Sequence, residues 1–405
     1  MYINRQLEEK FLNMSSFFKA VLVTGARQVG KTTMLRHLAD NRTYVSLDDV
    51  DTLELAKTDP KLFFMRYKPP IIIDEVQKAP ELFPYIKILC DNSNETGLFW
   101  LTGSEQYSMM KNITESLAGR IGIMTLYPLS LSEINQTKFS VPLHFDLDTL
   151  IKRANEAKPF DLNSIFKQIW QGGMPGVQSA NMEQRSVYFS SYIDTYLMRD
   201  IMSIGSIVDE IKFRKFLSVC AANISEQLNM NTLATIAEIS FPTAKSWISL
   251  LQRLHIIYLL EPYYNNKIKR LAKTPKLYFW DTGLASYLTK WLSPETLLNG
   301  NASGHYFENF VTSELIKSLE YSSANYDLSY FRENNRKEID LFLELNNEIH
   351  PLEIKLSASP NKREIKKFSV LDSNEIQKGN GGIICMSQSV IPIDENNSLI
   401  PINTL

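Results

Sequence analysis

The sequence predicts an α/β protein in three parts: a parallel-sheet domain, a helical middle region and a small α/β domain at the C-terminal end. Three observations lead there. The first third alternates short apolar runs with helix-period segments, the pattern of a parallel sheet with helices on its faces. Those runs are continuously apolar, as strands covered on both faces must be. From about Pro128 to His255 the period is helical, and strand-like runs return only afterwards. Composition agrees: 405 residues, 44% hydrophobic, 22% charged and 11% aromatic, describe a globular chain rather than a disordered one.

The same arithmetic excludes several classes. With 43 basic and 45 acidic residues the net charge is −2, so any nucleic-acid site is a local patch. Cys90, Cys220 and Cys385 lie far apart with no C-x-x-C pair, which removes a disulfide framework and a cysteine zinc site as organising features. No stretch approaches the ~18 apolar residues of a membrane span, and Met1–Met14 has no signal-type apolar core. A cytoplasmic protein with no membrane contact is expected.

The elements follow in order. Ala20–Val23, Arg42–Leu47, Ile71–Ile73, Leu98–Leu101 and Ile121–Leu126 read as strands, with a helix over Lys31–Leu38. A loop is expected at Gln171–Gly176. Phe213–Ala222, Asn231–Glu238 and Pro242–Leu254 read as three helices, followed by strand-like Ile256–Leu260 and Lys276–Trp280. Three short helices and a hairpin form the winged-helix layout. The polar stretch Asn299–Gly304 opens the last part. The expected domains are 1–135, 136–298 and 299–405.

Residues Gly25, Ala26, Arg27, Gln28, Val29, Gly30, Lys31 and Thr32, followed by Thr33, spell the full GxxxxGK[ST] P-loop between a predicted strand and a predicted helix. Its glycines let backbone N–H groups curl around phosphate oxygens at a helix N-terminus. Lys31 is expected to reach the β- and γ-phosphates, and the Thr32 hydroxyl to ligate Mg²⁺. Ile71–Ile73 then runs into Asp74 and Glu75, the Walker B pattern. Asp74 is expected to hold Mg²⁺ and Glu75 to polarise the attacking water. No guanine-reading motif of the NKxD kind lies in this region, so ATP is the expected nucleotide. Ser104, at the end of the next strand, stands where a polar residue orients water and γ-phosphate, with Thr102 as competitor. Arg120 is a candidate arginine finger, in cis or from a second copy in a homo-oligomer; the alternative is a surface ion pair.

At this point the sequence resembles a known family, the bacterial and archaeal AAA-like ATPases that join a P-loop domain to a C-terminal domain of the DUF4143 type. The words that carry the resemblance are Thr24–Thr33, Ile73–Pro80, Leu101–Ser104, Leu117–Arg120, Tyr127–Ser130, Gly172–Pro175, Tyr192–Leu197 and Lys276–Ala285. It spans essentially the whole chain. It implies an ATPase and no agreed cellular role.

Two further features bear on partners. The third helix of a winged helix commonly enters the DNA major groove, but here it offers only Lys245 and Arg253. Lys267, Lys269, Arg270, Lys273 and Lys276, beside Tyr263 and Tyr264, make a richer strip for a phosphate backbone, or else a solvated wing. In the last part, Glu308 on a helix, Asp340 on a strand, and Glu353 with Lys355 on the next strand resemble the PD-(D/E)xK nuclease core. Two carboxylates there would hold Mg²⁺ and Lys355 would aid attack; the alternative is a nuclease-like fold that only binds. Lys362, Arg363, Lys366 and Lys367 are the only basic cluster near that site where a duplex would dock, or else a solvated helix face. The five histidines, His37, His144, His255, His305 and His350, show no metal-ligand spacing and receive no role.

The expectation is therefore a P-loop NTPase domain, a helical and winged-helix region, and a restriction-endonuclease-like α/β domain. The function expected is Mg²⁺-dependent ATP hydrolysis that switches a conformation, coupled to DNA or to an unknown protein partner. The alternative is an ATP-gated, metal-dependent nuclease.

Overall fold

A computed structural model describes residues 2–103, 116–198, 209–264, 274–322, 324–333, 337–373 and 377–405. The chain divides into two units. One comprises residues 1–129 with 253–256, the other residues 130–252 with 257–405.

The N-terminal unit is built on strands β1 (Ala20–Thr24), β2 (Thr43–Ser46), β3 (Ile71–Asp74), β4 (Phe99–Thr102) and β5 (Ile121–Thr125). They form one sheet in the order β2-β3-β4-β1-β5, with every pair parallel. The central strands β1, β3 and β4 are buried along their whole length, whereas the edge strands β2 and β5 are partly open. That is why the first three read as unbroken apolar runs. Ala20, Leu22, Ile71, Ile73, Phe99 and Leu101 share one core with Phe63, Phe83 and Ile86 of the covering helices. Two of those helices, Val50–Thr58 and Pro60–Arg66, start on aspartate caps: Asp49 accepts from Thr52 N and Asp59 from Leu62 N, each at 2.9 Å.

The second unit begins with helices and ends with a sheet. Helices Glu210–Ala222, Met230–Ile236 and Phe241–Arg253 lie where three were expected. After them β6 (Ile257–Leu260) and β7 (Lys276–Phe279) pair antiparallel. Helix Leu162–Gln171 ends at Gly172, and this turn abuts Asp281–Gly283. A Cβ on Gly283 would lie 2.4 Å from Gln171 O, so the two backbones approach as only glycine permits. Asp281 accepts from Gly173 N and Leu284 N, each at 2.7 Å, and so caps the next helix while tying down the turn. Arg185 closes the joint through Trp170 O and Gly283 O.

The C-terminal sheet contains β8 (Tyr326–Glu333), β9 (Lys337–Leu345), β10 (Glu348–Lys355), β11 (Gln377–Lys378), β12 (Gly381–Cys385), β13 (Ile391–Pro392) and β14 (Asn397–Pro401). Its order is β13-β14-β12-β10-β9-β8, with β11 also on β10. β9 and β10 form a hairpin whose two turn residues, Asn346 and Asn347, both have positive φ (52° and 65°), as a type I′ turn requires. Helix Ser303–Tyr321 is sewn to β7 by buried Asn309, whose amide donates to Phe279 O (2.8 Å) and accepts from Phe279 N (2.7 Å). No helix among the described residues is long and apolar enough to cross a membrane.

Candidate functional site

The P-loop spans the end of β1 and the start of helix Lys31–Leu38. Gly25 has φ +133°, and a Cβ there would fall 2.1 Å from Leu126 O, so no other residue fits. Ala26 and Val29 are buried, Arg27 is partly covered, and Gln28 and Thr33 are exposed. Gly30 accepts the first helical bond, from Met34 N. Lys31 is buried and turns back to donate to Gly25 O (3.0 Å) and Ala26 O (2.8 Å). These are carbonyls of the loop itself, so phosphate oxygens can take over an ammonium that is already in place.

Asp74, at the end of β3, faces this loop. Its Oδ1 accepts from Thr32 Oγ1 at 2.6 Å and from Thr102 Oγ1; its Oδ2 accepts from Tyr44 OH at 2.9 Å. The hydroxyl of the P-loop and the carboxylate of the Walker B strand are thus adjoining hard oxygens, the donor type Mg²⁺ takes. Tyr44 is a site residue that the sequence reading missed. It stands on β2, parallel to β3 with Ser46 opposite Asp74, and its ring leans along the strand to reach the carboxylate. Burial, then the Asp74 charge, pushes its hydroxyl up to about 12.

Glu75 follows in a left-handed conformation, φ +56°, uncommon for a residue with a Cβ. Its N–H donates to Thr102 Oγ1 (3.1 Å), and its carboxylate accepts from the Gln77 amide. Thr102 is therefore bonded to both Walker B acids. Ser104 lies outside the described residues. Buried Arg5, also missed from sequence, donates to Val29 O (2.7 Å) and Tyr127 O (2.6 Å) and so braces the loop.

Arg120 sits elsewhere. Its carbonyl accepts from Ala20 N at the start of β1, whereas the P-loop follows the end of that strand. Five strand residues separate them, about 16 Å at ~3.3 Å per residue. Arg120 forms a two-pronged pair with Asp91, at 2.5 and 3.1 Å. Within one copy it pairs at the end of β1 opposite the P-loop.

In the second unit, Asp340, Glu353 and Lys355 meet, whereas the partners of Glu308 are Tyr278 and Lys276, and no group of three or more acids, histidines or cysteines among the described residues could hold a metal ion. Asp340 Oδ2 accepts from Ile354 N (2.7 Å), beyond the last paired residues of the hairpin. Lys355 Nζ lies 3.2 Å from Asp340 and 2.7 Å from Glu353. Glu353 is fully buried, and that burial, with the nearby Asp340 charge, raises its pKa. Glu308 accepts from Tyr278 OH (2.7 Å) and from Lys276 Nζ (3.0 Å), and it too is raised by burial. Lys276 also reaches Glu338 at 2.7 Å, and Lys367 reaches Glu353 at 3.3 Å.

Two expectations are corrected here. Lys276 and Tyr263 are buried, 4% and 7% exposed, and so leave the basic strip. Lys276 is drawn in by Glu308 and Glu338, and Tyr263 by its packing on Phe342. Lys267, Lys269, Arg270 and Lys273 lie outside the described residues. Lys367 belongs to the carboxylate cluster rather than to a solvated face.

Residues 17–135 match the model of the AAA domain. Residues 162–295 and 303–405 match two domains of unknown function, DUF8612 and DUF4143. Uncharacterised proteins of Mycobacterium bovis and Mycobacterium tuberculosis are each 26% identical over 386 residues, 94% of this chain and 79% of theirs. Among solved structures, a Signal Transduction ATPase with Numerous Domains (STAND) protein with a tetratricopeptide repeat sensor, from Pyrococcus horikoshii, is 12% identical with a TM-score of 0.26. That likeness covers 79% of this chain and 47% of the other, so this chain spans less than half its length. A protein of Vibrio cholerae is 12% identical with a TM-score of 0.17, over 91% and 88% of the two chains. Neither score describes a shared overall fold. An AAA domain over 17–135 joined to DUF4143 over 303–405 is the pairing that the sequence resembles, and the chain carries both.

Proposed function

We propose that the chain is an Mg²⁺-dependent ATPase that works as a conformational switch, its nucleotide state reported through the second unit to DNA or a protein partner. The observation that carries this is the 2.6 Å bond between Thr32 and Asp74, which joins the P-loop to the Walker B strand. Thr32 and Asp74 would hold the Mg²⁺, directly or through water, and the ion would neutralise phosphate charge. Lys31 binds the β- and γ-phosphates beside it. Glu75 orients water toward the γ-phosphate and accepts its proton, held by Thr102 and Gln77. Ser104 is assigned to the same water as a second orienting group.

Arg120 acts in trans under this reading: a second copy presents it to the γ-phosphate after release from Asp91. The winged-helix segment is the proposed DNA contact, through Lys245 and residues 265–273. A salt titration separates DNA from a protein partner, because phosphate contacts give affinity that falls linearly on log–log axes. The test of the main reading is labelled-ATP binding and phosphate release. Lys31→Ala should weaken binding by about a hundredfold or more. Wild-type affinity in that variant would sink the reading.

A second reading is favoured by the meeting of Asp340, Glu353 and Lys355: an ATP-gated nuclease in the C-terminal domain, with Glu308 as its fourth residue. Against it, Lys276 already places a buried ammonium on Glu308, where it competes with a divalent cation for the same oxygens. Metal-dependent cutting of DNA or RNA that vanishes in Asp340→Ala and Lys355→Ala supports the nuclease. No cutting of any substrate, with or without ATP, leaves a binding module.

A further inference from the structure

The N-terminal unit holds one segment that the P-loop and Walker B strand do not account for. Arg253–Ile256 belongs to this unit, although the residues before and after it belong to the other. Within it, His255 adopts a left-handed backbone, φ +54°. The ring is partly covered; its Nε2 is shut off from solvent and meets no hydrogen-bond partner. Lys31 is the charged group that acts on this ring, and burial together with that ammonium lowers the imidazole to about 4. The ring is therefore neutral at pH 7, with one nitrogen carrying hydrogen and one free of it.

A buried polar atom with no partner, in the field of the Lys31 ammonium, is a costly arrangement. A phosphate resolves both parts at once. Its oxygens accept from an Nε2–H, and its charge offsets that of Lys31. Among the described residues, the acids Asp74 and Glu75 already have donors of their own.

We propose that His255 is a phosphate ligand of the P-loop site, its Nε2–H donating to a β- or γ-phosphate oxygen of the bound nucleotide. This rests on the ATP-binding reading above and adds a sensing element to it. The segment runs directly from helix Phe241–Arg253 into β6, so phosphate occupancy is felt at the covalent link to the middle of the chain.

The test uses the full chain, fluorescent ATP and ADP with Mg²⁺, and ring ¹⁵N spectra of labelled histidine. His255→Phe fills the space without a donor and should raise Kd by about tenfold or more. His255→Gln retains a donor and should stay within about threefold of wild type. In the wild-type protein, saturation with nucleotide should move the His255 ring resonances. Loss for ATP alone assigns the γ-phosphate, and equal loss for ADP the β-phosphate. If nucleotide saturates the protein and Lys31→Ala abolishes that binding, while His255 resonances stay put and His255→Phe binds as wild type, this proposal is overturned and the ATP reading stands. If wild type binds neither nucleotide, both fall. Should His255→Phe misfold, the wild-type spectra alone decide.

Discussion

Asp74 and Glu353 are both acids at the ends of buried strands, and the two units treat them in opposite ways. Asp74 is surrounded by the hydroxyls of Thr32, Tyr44 and Thr102, with no lysine or arginine bridging it among the described residues. Hydroxyls orient a carboxylate without cancelling its charge, so the charge remains for an incoming cation. Glu353, Asp340 and Glu308 instead meet the ammonium groups of Lys355, Lys367 and Lys276. Their charge is balanced inside the protein. The first arrangement suits a site that exchanges ligands; the second suits a site that holds a shape, unless a lysine moves.

Mutations can break this contrast. The largest effect is expected at Glu75. Glu75→Gln should keep nucleotide affinity and lower turnover by about 10²–10⁴, the usual reach of a general base; phosphate release at the wild-type rate would remove Glu75 from the role. Next comes Lys276→Met in the second unit. Stripping the ammonium from a buried carboxylate should destabilise that unit by about 3–5 kcal/mol, and adding Glu308→Gln should recover most of it. Urea unfolding reads both, and a single variant as stable as wild type would mean the lysine is not a structural counter-charge.

Arg120→Ala should slow turnover about tenfold or more while binding holds. Mixing it with Glu75→Gln should restore part of the rate, since each copy supplies what the other lacks. Mixed oligomers without recovery would argue that Arg120 only pairs with Asp91. The smallest effect is expected at Tyr44→Phe. Losing one hydroxyl from Asp74 should cost about 0.5–1.5 kcal/mol, seen as a weaker Mg²⁺ dependence of nucleotide binding. An unchanged dependence would make Tyr44 a packing residue only.

What could be read from sequence was what lies contiguous along it. The P-loop is a single run of residues, and the Walker B acids end an apolar strand, so motif and element identify each other. Tyr44, Arg5 and His255 were not legible, because each matters only through a partner far along the chain. Tyr44 needs the β2–β3 register to meet Asp74. Arg5 reaches Tyr127 across 122 positions. His255 shares with the other four histidines a lack of metal-ligand spacing, and that criterion does not test for contact with a phosphate. Lys276 misled for the opposite reason: it sits among basic neighbours in sequence and among acids in space. Asp340, Glu353 and Lys355 do meet, because a hairpin joins their strands, whereas Glu308 pairs with Tyr278 and Lys276.

The joint between Gly172 and Gly283 has a temporal consequence. Gly173 and Asp281 are 108 positions apart. At a synthesis rate of about 5–20 residues per second, a ribosome needs roughly 5–20 s to deliver the second after the first. Helix Leu162–Gln171 carries Ile165, Phe166, Ile169 and Trp170 on its buried face, and that face has no finished home until its packing partners, Thr282–Leu288 and Pro294–Leu298, emerge. The N-terminal sheet, complete by residue 125, has no such wait, apart from Arg253–Ile256. Nascent chains arrested between residues 180 and 280 should therefore present a formed nucleotide domain trailing an unsatisfied helix, the species a holding chaperone would bind.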